Sequence, residues 1–223
     1  KSFNSYGSYG DATLNDVFQN QDLKDALIKK ANWMETSWIE NLGNNKFEIH
    51  KLPIESQWAP VYGISTYDIN NDGYQDILMV GNDYGVEVGQ GRLDALQGLV
   101  LLNNQDKTFS SLSIEESNFI VSKDAKSLAQ VTVSDKPLFI ATQNNEAIRV
   151  FNLKQNNQVK IGWNQNEESC LIYLNETKIQ KRYKASETSF QSQSSSSFWV
   201  PKSILKIDFF DNKMQLIRTI NKF

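Results

Sequence analysis

A single cysteine, Cys170, and a single histidine, His50, close off much of the usual site chemistry for this chain of 223 residues. One thiol cannot form an internal disulfide, and a Cys/His zinc cluster has too few ligands. A Ser-His-Asp triad would have to use His50. Long apolar runs are missing, and with them any membrane-spanning helix. Lys and Arg number 23 against 26 Asp and Glu, for a net charge of −3, so the basic footprint of a nucleic-acid binder is absent. No signal segment stands at the start. The chain opens at Lys1 rather than Met and reads as a mature or excised fragment, so that lack carries no message about targeting.

What is present is a globular composition. Apolar residues make up 39% and aromatics 11%, enough for one large or two modest domains with a real core. Cys170 lies in the strand-like run Cys170-Leu171-Ile172-Tyr173-Leu174 and reads as a small buried hydrophobe. In Phe47-Glu48-Ile49-His50-Lys51-Leu52, strand alternation sets His50 opposite Phe47 and Ile49, which predicts a solvent-facing histidine. Lys178, Lys181, Arg182 and Lys184 read as a solvated edge strand, where charge blunts pairing with other chains.

The pattern along the chain predicts a mostly β fold with one N-terminal helix. Residues 1–12 are rich in Ser, Tyr and Gly and read as an irregular lead-in. The helix is expected over about 22–32, where Leu23, Ala26, Leu27 and Lys30 fall at helical spacing on a narrow stripe. From Trp33 the period becomes that of strands. Trp38-Ile39-Glu40-Asn41-Leu42, the turn Gly43-Asn44-Asn45-Lys46 and the run from Phe47 to Leu52 read as a hairpin. The arrangement returns at Leu99-Val100-Leu101-Leu102, Asn103-Asn104-Gln105-Asp106-Lys107-Thr108 and the run from Phe109 to Ile114. A worn copy follows at Phe151-Asn152-Leu153-Lys154-Gln155-Asn156-Asn157. Repeated strand clusters signal a propeller or another stacked β-array.

Two other regions stand apart. Residues 81–98, with Gly81, Gly85, Gly89 and Gly91, read as an insertion between two strands. It is either a binding loop tipped by Asp83, Glu87 and Asp94 or a structural loop locked by Arg92 on a carboxylate. From about residue 159, strands at 159–163, 170–174, 178–184 and 204–210 and a final hairpin around Asp211-Asn212-Lys213 predict a small β-sandwich-like module. The expected divisions are 1–32, 33–158 and 159–223.

The densest chemistry lies in Asp68-Ile69-Asn70-Asn71-Asp72-Gly73-Tyr74-Gln75-Asp76, of the form D-x-N-x-D-G-x-x-D. Asp68, Asn70, Asp72 and Asp76 offer side-chain oxygens and Tyr74 a backbone carbonyl. Calcium takes six to eight such oxygens at roughly 2.3–2.6 Å. Gly73 suits a sharp bend. An EF-hand would need Glu at position 79, which is Met79, and the following Ile77-Leu78-Met79-Val80 reads as a buried strand. Asn-Asp-Gly is also a common metal-free turn. Three carboxylates this close repel unless neutralised, which favours a structural calcium ion. Free cytosolic calcium is too low for an ordinary weak loop, so the loop points outside the cytosol.

These residues resemble a known group. The 68–76 loop looks like the calcium loop of FG-GAP/VCBS repeats, the blades of integrin-type β-propellers. The hairpins at 33–52 and 99–114 look like the outer strands of such blades, of form Asn-x-Gly-x-Gly-x-Phe. Asn45 stands at the second Gly, and the copy from Asn103 to Phe109 has lost both. The stretch from Val80 to Gly85 with Gly91 to Ala95 is similar to an insertion in large secreted VCBS-repeat proteins of bacteria. Ser189-Phe190-Gln191-Ser192-Gln193-Ser194-Ser195 resembles the ASPIC/UnbV domain that closes cartilage-acidic-protein-like propellers, with Ser186-Glu187-Thr188 in place of its glycine-rich approach.

The resemblance implies an incomplete set of FG-GAP blades and an ASPIC/UnbV-like module at the C-terminal end of a longer protein. It implies one structural Ca2+ site, since the third blade offers only Ser134-Asp135-Lys136. The expected location is secreted or cell-surface, with outer membrane or periplasm implied for a bacterium. The expected partner is an extracellular protein or glycan, not nucleic acid, with self-association through open sheet edges. The leading function is non-enzymatic adhesion or recognition. The alternative is a propeller domain of a secreted polysaccharide-acting enzyme, with Asp83, Glu87 and Asp94 as acid/base candidates. Trp58, Tyr84 and Trp163 read as core aromatics or as glycan platforms.

Overall fold

The computed structural model describes residues 3–18, 23–153, 157–184 and 196–221. Two compact units separate, Lys1–Met34 and Glu35–Phe223. In the first, α1 (Tyr6–Gly10) and α2 (Leu14–Val17) each start in a capping box, with Ser5 and Thr13 as N-caps. The expected helix over 22–32 does not form in its described part. Residues 23–25 make a turn and 26–34 carry no regular element. The reason is visible in Leu27 of the expected stripe, which stays 81% exposed. So short a helix needs an apolar face to pack, and this stripe meets none.

The second unit is antiparallel β throughout, and none of its sheets closes on itself. It begins with the hairpin β1 (Ser37–Gly43) and β2 (Lys46–Lys51), followed by a 3-10 turn, Ile54–Gln57. A four-stranded meander comes next: β3 (Val61–Tyr67), β4 (Asp76–Gly81), β5 (Leu99–Asn103) and β6 (Phe109–Ser111). The short α3 (Ile114–Ser117) leads to the meander β7 (Ala125–Val133), β8 (Lys136–Gln143) and β9 (Arg149–Asn152). The expected hairpins at 33–52 and 99–114 are therefore present, and residues 82–98 do lie between neighbouring strands β4 and β5. The last strand of the second hairpin is shorter than expected, because Ser113 caps a helix that starts at Ile114.

The two hairpin turns share left-handed backbone at two aligned positions, although Asn44 between them is also left-handed, at φ 51°, and its counterpart Asp106 is not. Gly43 and Asn45 have φ of 78° and 58°, and Gln105 and Lys107 hold 67° and 73° at the matching places. The second turn holds these left-handed conformations without glycine, at a cost in local strain.

Period-2 alternation buries both faces of β4 and β5. Leu78, Val80 and Val100 join Tyr67, Leu128, Phe139 and Trp199 in one core. Met79, Leu99 and Leu101 join Leu52 and Leu96 in another, with Trp38 packed beside them. Each such side chain contributes about 1.5–3 kcal/mol of burial. The sheets approach closely at Gly63, where a Cβ would come within 2.6 Å of the Leu128 backbone nitrogen.

The C-terminal part is a small two-layer β module. β10 (Gln158–Gly162) pairs with β13 (Ser197–Pro201). The other sheet runs β12 (Ile179–Tyr183), β11 (Ser169–Tyr173), β14 (Lys206–Phe210), β15 (Leu216–Asn221). Between them lie Ile161, Cys170, Ile172, Phe198, Ile207 and Phe209. Cys170 is buried as expected. β12 is an edge strand, and its Lys181 is exposed. The serine-rich motif at 189–195 lies outside the described residues.

His50 departs from expectation. Phe47 and Ile49 face outward at 62% and 46% exposure, whereas the His50 ring stacks on Trp38 at 4.4 Å. Alternation holds, but the aromatic stack and a carboxylate partner cover the His50 face and leave the Phe47 and Ile49 face to solvent. Among the described residues, no helix is long and apolar enough to cross a membrane.

Candidate metal centre

Residues 68–75 connect β3 to β4, and the loop folds around its own acidic side chains. Asp68 follows the last residue of β3 and is 1% exposed. Its Oδ1 accepts the Asp72 N–H at 3.0 Å and its Oδ2 the Gly73 N–H at 2.9 Å. Asp76, the first residue of β4, is fully buried. Its Oδ2 accepts the Ile69 N–H at 2.7 Å and its Oδ1 the Asn103 N–H at 2.9 Å. The positive φ of Asn71 and Gly73, 60° and 92°, turns these N–H groups inward. The two aspartates thus close the loop at both ends and tie it to β5.

Asp72 sits nearer the surface. Its Oδ1 accepts the Tyr74 N–H at 2.8 Å. Its Oδ2 accepts Asn70 Nδ2 at 3.2 Å and Gln105 Nε2 at 3.1 Å. Asn70 Oδ1 in turn accepts the Asp72 N–H at 3.1 Å. All five predicted ligand residues, Asp68, Asn70, Asp72, Tyr74 and Asp76, therefore lie on one turn. The oxygens of Asp68, Asp72 and Asp76 do not gather within 4.8 Å of one another.

The electrostatics are only partly compensated, for the Arg182 guanidinium interacts with the Asp68 charge without pairing with it. Burial pushes the Asp68 carboxyl up to about 6, with Asp72 and Asp76 nearby adding to the effect and the Gly73 and Asp72 N–H groups opposing it. Burial raises Asp76 too, against the hydrogen bonds from Asn103 and Ile69. Among the described residues, no Lys or Arg lies within ion-pair distance of Asp68, Asp72 or Asp76. Each buried carboxylate oxygen accepts one N–H in the contacts above and keeps lone-pair capacity. The donors are oxygens, the type a hard divalent cation takes, but they are turned onto backbone N–H groups and do not converge on one point.

Sequence reasoning missed the residues around the loop. Gln158 of β10 donates to the Asp68 carbonyl, and Gln180 of β12 donates to the Gly73 carbonyl at 2.8 Å. Asn103 Nδ2 reaches the Gln75 carbonyl at 3.3 Å. Leu174 packs over Gly73. No local pattern announces a glutamine on a strand as the partner of a distant loop.

A different cluster gathers Glu40, Glu48 and His50 within 4.8 Å. Glu40 already holds Lys107 Nζ at 3.1 Å and His50 Nε2 at 3.0 Å. The Lys107 hydrogen bond keeps the Glu40 carboxyl below its usual range. An ammonium group thus occupies the place a cation would take.

The other singled-out residues separate cleanly. Trp163 packs on Phe198 and Phe209 and is core. Tyr84 lies under the Arg92 guanidinium at 4.4 Å, so Arg92 locks the 82–98 loop through a ring. Trp58 is 54% exposed and lines a groove of about 430 Å³ with Glu55, Ser111 and Glu115. Asp83 accepts the Gly85 N–H, the Tyr62 hydroxyl and Lys126, and the first of these leads in holding its carboxyl low. No protein-family model matches the chain, and no curated protein matches it.

Proposed function

We propose that this chain is a calcium-stabilised recognition module built from FG-GAP-type propeller blades and a C-terminal ASPIC/UnbV-like β module, working outside the cytosol. The observation that carries the reading is the pair of buried aspartates on one nine-residue loop, Asp68 and Asp76, with no Lys or Arg at ion-pair distance among the described residues. Asp68, Asn70, Asp72, the Tyr74 carbonyl and Asp76 would hold the ion. Bound calcium supplies the charge that neutralises three neighbouring carboxylates, and the chain supplies the frame that holds their oxygens. The role is structural. A protein or glycan partner fits the Trp58 groove, where an exposed ring lies beside carboxylates and hydroxyls. The open sheets leave edges through which a second copy can pair.

The enzyme alternative receives less support. Asp83 is held ionised, unlike a general acid, and Glu87 and Asp94 are exposed. A thermal melt in calcium chloride, then in excess chelator, tests the proposal. Calcium is expected to raise the midpoint in wild type and to leave Asp72→Ala unmoved. Equal midpoints with and without calcium in wild type would overturn it.

A further inference from the structure

The β3–β6 sheet is the middle layer of three. The β1–β2 hairpin covers one of its faces, with Trp38 and Leu52 packed among Met79, Leu99 and Leu101. The β7–β9 sheet covers the other, with Leu128 and Phe139 among Leu78, Val80 and Val100. Side chains alternate along a strand, so each outer layer has a second face turned away from the stack. On β1–β2, Trp38 and His50 point inward, and the cross-strand pairs Ile39–Ile49 and Asn41–Phe47 point outward. Ile39 and Phe47 are each 62% exposed. On β7–β9, Phe139 and Phe151 point inward, and the pairs Ile140–Val150 and Val131–Leu138 point outward. Val150 is 53% exposed. The stack therefore ends in an apolar β face on both sides.

The second hairpin shows what covers such a face. In β5–β6, Leu101 pairs with Ser111 and Asn103 with Phe109, the register that Ile39–Ile49 and Asn41–Phe47 hold in β1–β2. Leu101 is thus the counterpart of Ile39, and it is fully buried under a neighbouring β layer. Phe109, the counterpart of Phe47, meets Trp38 of that layer edge-on at 6.2 Å. We propose that a second copy of this chain supplies the missing layer: the Ile39–Phe47–Ile49 face of one molecule docks on the Ile140–Val150 face of the next, continuing the stack head to tail. Self-pairing of the β1–β2 faces would leave the Val150 row in water, whereas head-to-tail contact covers both ends. Such a contact is heterologous, and each molecule brings one half of it at either end. Its driving force is burial of the two apolar rows, with the Phe47 ring as the largest side chain. The proposal concerns sheet faces rather than edges and draws on no metal.

Sedimentation velocity of the whole chain, run in chelator over a concentration series, tests it. Wild type is compared with Phe47→Lys, with Val150→Lys and with an equal mixture of the two. Both side chains are exposed, so the substitutions spare the core. Wild type is expected to associate as concentration rises, and each variant alone to sediment as a monomer, because a lysine charge is costly inside an apolar contact. The mixture is expected to form a dimer, since Val150→Lys keeps a sound β1–β2 face and Phe47→Lys a sound β7–β9 face. Wild type that stays monomeric throughout overturns the proposal. Association of Val150→Lys alone overturns it in favour of self-pairing through β1–β2. Association of both variants alone overturns it in favour of contact through sheet edges. A mixture that stays monomeric removes the head-to-tail geometry. Each of these results leaves the calcium reading where it stands.

Discussion

Gly73 and Leu174 touch across the joint between the acidic loop and the C-terminal module: a Cβ on Gly73 would lie 2.9 Å from Leu174 Cδ1. The Gly73 backbone also holds φ +92°, a conformation that side chains strain. Gly73→Ala is therefore expected to destabilise the fold by roughly 1–3 kcal/mol. Urea unfolding in chelator measures it. Adding Leu174→Ala would relieve the contact but not the backbone strain, so full recovery in the double variant would contradict this account.

The pH dependence of Asp68 has a definite sign. Its ordinary value, 3.8, rises to about 6 in the fold, so the folded state holds this proton more tightly than the unfolded chain. In chelator its contribution to stability is complete below about pH 3.8 and is lost as pH rises through about 6. Asp76 shifts in the same direction. Asp68→Asn carries no such proton, though its amide forfeits one backbone contact as a constant offset. From pH 4 to pH 7, wild type is expected to lose on the order of 2–3 kcal/mol relative to Asp68→Asn. Urea midpoints across that range check it, and a difference flat in pH would refute it.

The C-terminal module holds an ion pair between a buried carboxylate and a partly exposed guanidinium. Arg218 of β15 reaches the fully buried Glu167 at 2.7 Å through Nε and 2.9 Å through Nη2, and Glu167 also accepts the Asn164 N–H. Arg218→Met leaves that carboxylate without its partner and is expected to cost about 3–5 kcal/mol. Glu167→Gln with Arg218→Met is expected to recover part of the loss. A single variant with an unaltered melting midpoint would count against the pair.

Burial pushes the Cys170 thiol up to about 12, and its side chain is fully enclosed. A disulfide reagent at pH 8 is expected to leave native protein unlabelled and to react only as fast as the module opens. Rapid stoichiometric labelling of folded protein would show that the core between β10–β13 and β11–β14 is not closed.

Several elements were legible because their signals are local. The turn chemistry of Gly43-Asn44-Asn45 marked the first hairpin, and the apolar run from Ile77 to Val80 marked a buried strand. The acidic loop was legible for the same reason, since its main hydrogen bonds span only two to seven residues. Leu23, Ala26 and Leu27 misled because a helical period specifies a helix only when its apolar face finds a surface, and Leu27 stays exposed. His50 misled because alternation names two faces without saying which one Trp38 will cover.

By itself the sequence determined the β character, many of the strands and turns of the second unit and the oxygen-rich loop, all encoded by neighbours along the chain, but not β3, β7 or β13. Only the tertiary structure decided that Asp68 and Asp76 are buried with no Lys or Arg at ion-pair distance among the described residues. It alone brought Gln158, Leu174 and Gln180 around that loop. Desolvation and long-range hydrogen bonds depend on which surfaces meet, and that is settled by the packing of whole sheets rather than by local pattern.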